Sequence, residues 1–146
     1  MNIGDWISKR ALVAPEKPFL ADKNKTLNNR QFNRRVNQTA HTLGYLGINK
    51  GMRVALLMSN CSEFLEIFFA CAKTGIIMVP LNFRLAVPEL LYILRDSDPE
   101  ALIYSSEFAP KVAEIRAAGV EISKTYRLGR AADASDPLFS DYADGF

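Results

Sequence analysis

Two polar side chains, Asn82 and Arg84, closely follow an apolar run at residues 76 to 79 and are the first candidates for chemistry. An arginine guanidinium can hold a carboxylate or a phosphate through two parallel hydrogen bonds, with an asparagine amide as a further partner. In open parallel sheets, ligands usually bind beyond the carboxyl ends of the strands, which is where we expect these two residues. The other two strand ends expected at this edge are Ser59-Asn60 and Ser105-Ser106-Glu107. A second interpretation stays open, in which Asn82 shapes a turn and Arg84 pairs with a neighbouring acid.

A second group of candidates is basic and falls on or near one predicted helix: Arg30, Arg34 and Arg35, with Lys23 and Lys25 close by. Such a patch can attract the phosphates of a nucleotide-like ligand. A solvated helix face explains the same residues equally well, so the pattern by itself does not decide between the two.

Residues for acid–base, metal or phosphate-loop chemistry are not apparent in the sequence. His41 is the sole histidine, and it lies on the polar side of its predicted helix without an orienting acid or second ligand nearby. No segment fits G-x-x-x-x-G-K-S/T or G-x-G-x-x-G, and Gly44, Gly47 and Gly51 follow a helix, whereas a phosphate loop follows a strand. We therefore predict no catalytic residue and no metal ligand in this chain.

The residues from 53 to 84 form the strand–helix–strand pattern that must position the candidates. An apolar run at 54 to 58 meets a turn at Ser59 and Asn60. Asn60 is the expected cap of a helix over 62 to 73, and Glu63 is expected to complete its capping box. Gly75 is expected to close that helix, and a second apolar run follows at 76 to 79. Near-continuous apolar runs are typical of parallel strands that are buried on both faces.

The same alternation extends through most of the chain. Asn28, with Gln31 three residues later, predicts the start of a helix that reaches about residue 46. The other predicted helices cover residues 3 to 13, 88 to 95 and 108 to 118, and the other strands cover 19 to 22, 101 to 104 and 125 to 128. The first helix is expected to pack through four apolar anchors, Ile3, Trp6, Ile7 and Leu12. From residue 53 to 128, these lengths predict an α/β fold with a mostly parallel sheet and helices on both faces.

Composition limits the class of protein further. The 146 residues are 49% hydrophobic and 23% charged with a net charge of +2, which favours a globular protein and gives no sign of a nucleic-acid partner. No apolar run is long enough for a transmembrane segment, and the first residues do not look like a secretory signal, so we expect a cytoplasmic protein. Cys61 and Cys71 are expected about 15 Å apart along one helix, too far for a disulfide.

Several stretches together resemble the amino-terminal part of the AMP-forming acyl-CoA synthetases, within the acyl-adenylate-forming superfamily. The similarity covers roughly residues 3 to 128, and it is lost at residues 26 to 32 and at Ala86 and Val87. The matching stretches are Ala14-Pro-Glu-Lys-Pro18, Gly47-Ile-Asn-Lys-Gly-Met-Arg-Val-Ala-Leu56, Asn60-Cys-Ser-Glu-Phe-Leu-Glu66, Phe69-Ala-Cys-Ala-Lys-Thr-Gly75, Val79-Pro-Leu-Asn-Phe-Arg-Leu85 and Glu89-Leu-Leu-Tyr-Ile-Leu94.

The resemblance implies a two-step ligation. A carboxylic acid, a fatty acid being the expected class, attacks ATP with Mg²⁺ to give an acyl-adenylate and pyrophosphate, and coenzyme A then takes the acyl group. In that family the ATP loop, the adenine- and ribose-binding motifs and the catalytic lysine lie after the region matched here. No family catalytic residue can therefore be placed on this chain, and Asn82 and Arg84 are expected only to be adjacent to the substrate.

The resemblance further implies an amino-terminal α/β subdomain over residues 1 to 128 and a linker-like tail over 129 to 146. We expect such a fragment to be inactive alone, to hold no cofactor, and to form a homodimer through surface that a complete enzyme would bury. The alternative is a non-catalytic, stand-alone α/β interaction module that pairs with another chain.

Overall fold

The computed structural model describes residues 2–23 and 25–129. Five helices and six strands make up this part of the chain, together with one turn of 3₁₀ helix at Ser106–Phe108. The helices are α1 Ile3–Val13, α2 Asn29–Tyr45, α3 Ser62–Thr74, α4 Val87–Ser97 and α5 Ala109–Ala117. The strands are β1 Pro18–Ala21, β2 Thr26–Asn28, β3 Arg53–Leu57, β4 Ile77–Leu81, β5 Ala101–Ser105 and β6 Lys124–Leu128.

Four of the strands form a parallel sheet in the order β4-β3-β5-β6. In the register of this sheet, Ala55 lies between Val79 on one side and Leu102 on the other. Helices follow β3, β4 and β5 and return the chain to the next strand. The predicted α/β fold with a parallel sheet is therefore confirmed.

The central strand β3 divides the hydrophobic core into two layers. Val54 and Leu56 pack in a cluster with Phe32 of α2 and Ile67 of α3. Ala55 and Leu57 point to the other face, where their cluster contains residues of α4 and α5, among them Leu90, Leu94, Val112 and Ile115. The β3 side chains on both faces are fully buried, so the prediction that this strand is covered on two faces is confirmed.

A two-stranded antiparallel hairpin, β1 with β2, precedes the sheet. Its second strand was not predicted, because three residues carry too little pattern to be recognised. The cap that follows was predicted: the Asn28 side chain accepts from the Gln31 N–H at 2.8 Å, and the Gln31 side chain accepts from the Asn28 N–H at 2.9 Å. This reciprocal capping box stabilises the start of α2.

Two helix starts differ from the prediction. The N-cap of α3 is Cys61 rather than Asn60, and it makes no side-chain cap hydrogen bond. Glu63 was expected to complete a box there, but its carboxylate lies 3.1 Å from the Lys25 ammonium instead. Helix α5 begins at Ala109, one residue after the predicted start, because Phe108 ends the 3₁₀ turn.

Strand β4 extends further than the apolar run suggested and includes Pro80. The Ile77 N–H donates to the Met52 carbonyl at 2.8 Å, toward the side of β3. Because N–H directions alternate along a strand, the Pro80 nitrogen faces the outer edge, where a missing donor breaks no bond of the sheet. Gly75, at φ 76°, ends α3 in the left-handed conformation as predicted.

Helix α1 approaches α3 closely through Gly4. A Cβ atom on Gly4 would lie 2.6 Å from the Lys73 backbone nitrogen, so the two helices cross without room for a side chain. Ile7, one of the predicted apolar anchors of α1, is buried, but the predicted anchor Leu12 is 82% exposed. The contact of α1 therefore depends on the residues of its first two turns.

We predict that Gly4→Ala destabilises the chain by about 1–3 kcal/mol, because the added methyl group meets backbone that cannot turn aside. Gly44→Ala is the matched control in α2, where an added Cβ would meet nothing within 4 Å. There the better helix propensity of alanine should raise stability by up to about 1 kcal/mol. Urea denaturation followed by circular dichroism measures both changes, and an unchanged midpoint for Gly4→Ala would contradict the tight crossing.

Candidate functional site

The strand order of the sheet reverses between β3 and β5. From β3 the chain first crosses to β4 on one side and then returns past β3 to β5 on the other side. The loops that leave β3 and β5 therefore run to opposite faces, since α3 packs on one layer and α5 on the other. Loops that diverge in this way open a crevice at the carboxyl ends of the two strands, which is where open α/β sheets usually bind ligands.

A cavity of about 330 Å³ lies at this crevice. Ser59 and Cys61 line it from the loop after β3, and Ser105 and Glu107 line it from the end of β5 and the turn that follows. The remaining wall comes from α2, α3 and the end of β6: Arg35, Thr39, Glu63, Glu66, Ile67, Leu128 and Gly129. Two of the three strand ends that the sequence suggested are thus brought together here.

A buried carboxylate, Glu66, organises one wall of the cavity. Its side chain is 3% exposed and lies 3.3 Å from the Arg35 guanidinium and 3.5 Å from the Lys25 ammonium. Lys25 also contacts Glu63 at 3.1 Å, so the four residues tie the hairpin, α2 and α3 together. An ion pair this deep is disrupted at high cost, because losing one partner leaves a charge with little solvent around it.

The pKa values of the cluster follow from these contacts. Burial alone would raise the pKa of Glu63, but hydrogen bonds from its own N–H and from Lys25 lower it overall. Burial alone would lower the pKa of Lys25, but the hydrogen bond to Glu63 and the negative charge of Glu66 raise it overall. The contribution of Glu63 to stability is therefore lost as the pH falls through its lowered pKa, and that of Lys25 is lost as the pH rises through its raised pKa.

Three residues of the predicted basic patch pair with acidic side chains of the protein. Arg35 and Lys25 face Glu66, as described, and Arg30 pairs with Glu16 at 2.9 Å on the surface. This arrangement was not predicted, because a glutamate at position 66 inside an apolar run carries no local sign of its distant partners. A charged residue inside a helix that must be covered on several sides is the signal that points to a buried pair.

The structure places Asn82 and Arg84 in the turn between β4 and α4, at the edge of the sheet and away from the cavity lining. The Asn82 side chain accepts from the Arg84 N–H at 3.0 Å, and its backbone carbonyl accepts from the Leu85 N–H at 3.0 Å. The Arg84 guanidinium lies 5.7 Å from the centroid of the Phe83 ring. Asn82 therefore shapes a turn, and the adjacency of both residues to a substrate stays a prediction.

Neither cysteine is suited to nucleophilic chemistry. Both are free thiols, as predicted, with Cys61 half-buried and Cys71 buried. Burial raises the pKa of Cys61 to about 11 and that of Cys71 to about 12, so both thiols stay protonated near neutral pH.

Within residues 2–23 and 25–129, no group of three or more His, Cys, Asp or Glu side chains is arranged to hold a metal ion. No helix in the same part of the chain is long and apolar enough to cross a membrane.

The fold and the cavity thus define a class of protein. It is a doubly wound α/β scaffold with a crevice at its switch point, the place between β3 and β5 where the strand order reverses. The sequence model of one family, described as AMP-binding enzyme, matches residues 7–143. The chain belongs to this family of AMP-binding enzymes, and the resemblance noted in its sequence is confirmed.

Two of the similar proteins are named as a CoA ligase and a CoA synthase. The long-chain-fatty-acid–CoA ligase FadD13 of Mycobacterium tuberculosis is 42% identical over 118 residues, which are 80% of this chain and 24% of the ligase. A feruloyl-CoA synthase of Amycolatopsis is 39% identical over 116 residues, again 80% of this chain and 24% of that protein. The chain thus spans about a quarter of the length of these relatives.

Solved structures agree with this assignment. The inhibitor-bound N-terminal domain of FACL13 from M. tuberculosis matches with a TM-score of 0.87 at 34% identity, covering 98% of this chain and 35% of that one. The anthranilate CoA ligase AuaEII, in complex with anthranoyl-AMP, matches with a TM-score of 0.91 at 29% identity, covering 99% and 28%. The expected fold, an α/β unit of the acyl-adenylate-forming ligases, is confirmed.

We predict that Glu66→Gln destabilises the chain by about 2–4 kcal/mol, because the partly buried Arg35 and Lys25 both lose the negative charge of the Glu66 carboxylate. Glu16→Gln is the matched control, since Glu16 is 69% exposed in its pair with Arg30 and its loss should cost less than about 1 kcal/mol. Chemical denaturation at neutral pH measures both, and equal effects would show that the Glu66 cluster is no more than a surface ion pair.

Proposed function

We propose that the chain is the amino-terminal part of an AMP-forming acyl-CoA ligase. The complete ligase activates a carboxylic acid with ATP, releasing pyrophosphate and forming an acyl-adenylate, and then transfers the acyl group to the thiol of coenzyme A. The match of the AMP-binding family across residues 7–143 carries this proposal. In it, residues 1 to 128 are a scaffold subdomain and residues 129 to 146 a linker-like tail, most of which lies outside the described residues.

A fatty acid is the substrate class that we propose, because FadD13 is named for long-chain fatty acids and a further relative, ScoC of Streptomyces coeruleorubidus, is named a fatty acid–acyl-carrier-protein ligase. The feruloyl-CoA synthase nevertheless matches at 39% identity, against 42% for FadD13. Since relatives named for different acids match almost equally well, the choice of acid is made mainly by residues beyond this segment.

The described residues do not fit Mg²⁺–ATP by themselves. The cavity wall carries the carboxylates of Glu63, Glu66 and Glu107 against the guanidinium of Arg35, a balance that disfavours a triphosphate. No metal-binding group lies among the described residues either. We therefore assign the binding of ATP, Mg²⁺ and coenzyme A to the rest of the ligase.

In this proposal Asn82 and Arg84 lie next to a substrate of the ligase. The guanidinium of Arg84 is exposed at the carboxyl end of β4, on a turn whose conformation the Asn82 side chain fixes. An exposed guanidinium on a fixed turn can pair with a carboxylate or a phosphate through two hydrogen bonds. We further propose that the ligase acts in the cytoplasm.

A second candidate function is a non-catalytic module that pairs with another chain, or with a second copy of itself. The exposed apolar side chains of α1 favour it, because Ile3, Trp6, Leu12 and Val13 are each close to half exposed or more. Light scattering of the purified chain separates a homodimer from a monomer. Because an inactive ligase fragment can also dimerise, a stable complex supports the module only if the chain also fails to support activity when it is placed in a complete ligase.

The decisive experiment exchanges the matching segment of FadD13 for this chain. We expect the chimaera to form acyl-adenylate from a long-chain fatty acid in an ATP–pyrophosphate exchange assay, since the scaffold it receives is 42% identical. The matched control carries Leu56→Asp in the exchanged segment, which places a charge in the fully buried β3 and should abolish both folding and exchange. A chimaera that folds, as judged by circular dichroism, yet makes no adenylate would overturn the proposal.

The chain alone should not bind Mg²⁺–ATP. Its cavity wall is acidic, and no metal-binding group lies among its described residues. We expect isothermal titration calorimetry to show no heat of binding for ATP with Mg²⁺ at concentrations that saturate the FadD13 host. Micromolar affinity of the isolated chain would contradict the assignment of ATP binding to the rest of the ligase.

A further inference from the structure

Helix α1 carries an exposed apolar stripe. Ile3, Trp6 and Val13 are 56%, 49% and 85% exposed. Together with the exposed Arg10 they recur at steps of three and four residues, so all four lie along one side of the helix. Of the four apolar anchors that the sequence predicted for this helix, only Ile7 is buried. Apolar patches that stay at the surface mark contacts with other proteins or with membranes.

The charge on this side of α1 is positive. Arg10 lies within the stripe and Lys9 lies beside it, and both are exposed. The acids nearby are engaged elsewhere, because Asp5 caps the start of α1 and Glu16 pairs with an arginine at 2.9 Å. A protein interface usually keeps charged side chains out of its apolar core. An anionic bilayer, in contrast, offers apolar depth and negative headgroups to the same helix.

Trp6 is held at the surface rather than folded into the core. Its ring centroid lies 6.3 Å from that of Phe19 and 6.3 Å from that of Phe69, so one side of the indole rests on the aromatic core. The other side faces outward, and about half of the residue is exposed. Tryptophan is enriched at membrane–water interfaces because its apolar ring carries one polar N–H group.

We propose that α1 is a membrane-contact helix, which lays the stripe of Ile3, Trp6, Arg10 and Val13 on an anionic lipid surface. This role rests on the proposed function, because a long-chain fatty acid leaves water for the bilayer and is concentrated there. The cytoplasmic leaflet supplies anionic lipids. With 11 residues, α1 is too short to cross a bilayer, so the contact is peripheral.

Trp6 allows a direct test, because it is the sole tryptophan of the chain and its fluorescence reports on the stripe. The 146-residue chain should sediment with vesicles of phosphatidylcholine mixed with phosphatidylglycerol, and less with phosphatidylcholine alone. Its emission should shift to the blue, lipids with brominated acyl chains should quench it, and high salt should weaken binding. Absence of binding, or binding without any change in the emission of Trp6, would overturn the proposal.

Two double variants test the stripe and its charge. Ile3→Ser with Val13→Ser should weaken vesicle binding about tenfold or more, because two apolar side chains no longer enter the bilayer. Lys9→Gln with Arg10→Gln should weaken it roughly twentyfold, since each cation near an anionic surface contributes about fivefold. Unchanged binding in both double variants contradicts the assignment of the contact to α1.

Tyr92→Ser is the matched control. Tyr92 is 74% exposed on α4, which packs on the other layer of the sheet from α1. This variant should bind vesicles as the original chain does, and circular dichroism checks that every variant is folded. If Tyr92→Ser weakens binding as much as the changes in α1, the chain adheres to lipid without a defined face, and the proposal fails.

Two other occupants of the stripe give different results. If the chain fails to bind vesicles but dimerises in light scattering, and Ile3→Ser with Val13→Ser abolishes the dimer, the stripe is an interface between two copies. If the chain binds vesicles but the FadD13 chimaera does not, the rest of the ligase covers α1. Either result overturns the membrane contact.

Kinetics of the chimaera separate the membrane contact from the function on which it rests. Ile3→Ser with Val13→Ser should raise KM for a long-chain acid supplied in anionic vesicles about tenfold more than KM for a shorter, water-soluble acid. Equal changes in the two KM values would contradict delivery of the acid from the membrane. If the folded chimaera makes no adenylate from either acid, the proposed function fails, whereas vesicle binding through Trp6 still supports the contact.

Discussion

Complete burial of β3 on both faces is the constraint on which the rest of the structure depends. Four consecutive residues of this strand, Val54 to Leu57, have no exposed surface. A strand can be hidden in this way only if it has strands on both edges and helices on both faces, and β4, β5, α3 and α4 supply these. The short apolar run therefore dictates the layered architecture and, with it, the reversal of strand order that opens the cavity.

Much of this architecture can be predicted from the sequence, because the signals are local. The capping pair of Asn28 and Gln31 marks the start of α2, and Gly75 marks the end of α3 where φ turns positive. The apolar runs identify β3 and β5 through their unbroken hydrophobicity. The prediction fails where a tertiary contact competes with a local one, as at Glu63, whose carboxylate contacts Lys25 of the hairpin instead of completing a cap with Asn60.

The candidate site could be predicted less well, for a physical reason. Strand ends are visible in a sequence, but the order of strands across a sheet is not. From the sequence, Asn82 and Arg84 at the end of an edge strand therefore cannot be told apart from Ser59 and Ser105, which follow the two strands that flank the cavity. Charge pairs suffer from the same limit. Arg35 and Glu66 are 31 residues apart, and only the packing of α2 on α3 shows that they neutralise each other.

Pro80 protects the outer edge of β4 against pairing with a strand of another molecule. Its ring nitrogen faces outward from β4, so a strand from another molecule that tried to pair there would find no proton donor at that position. The missing donor disfavours edge-to-edge association into fibrils at β4, and this effect does not depend on charged side chains. The same imino acid leaves the internal ladder intact, so protection against aggregation comes without a loss in the folded state.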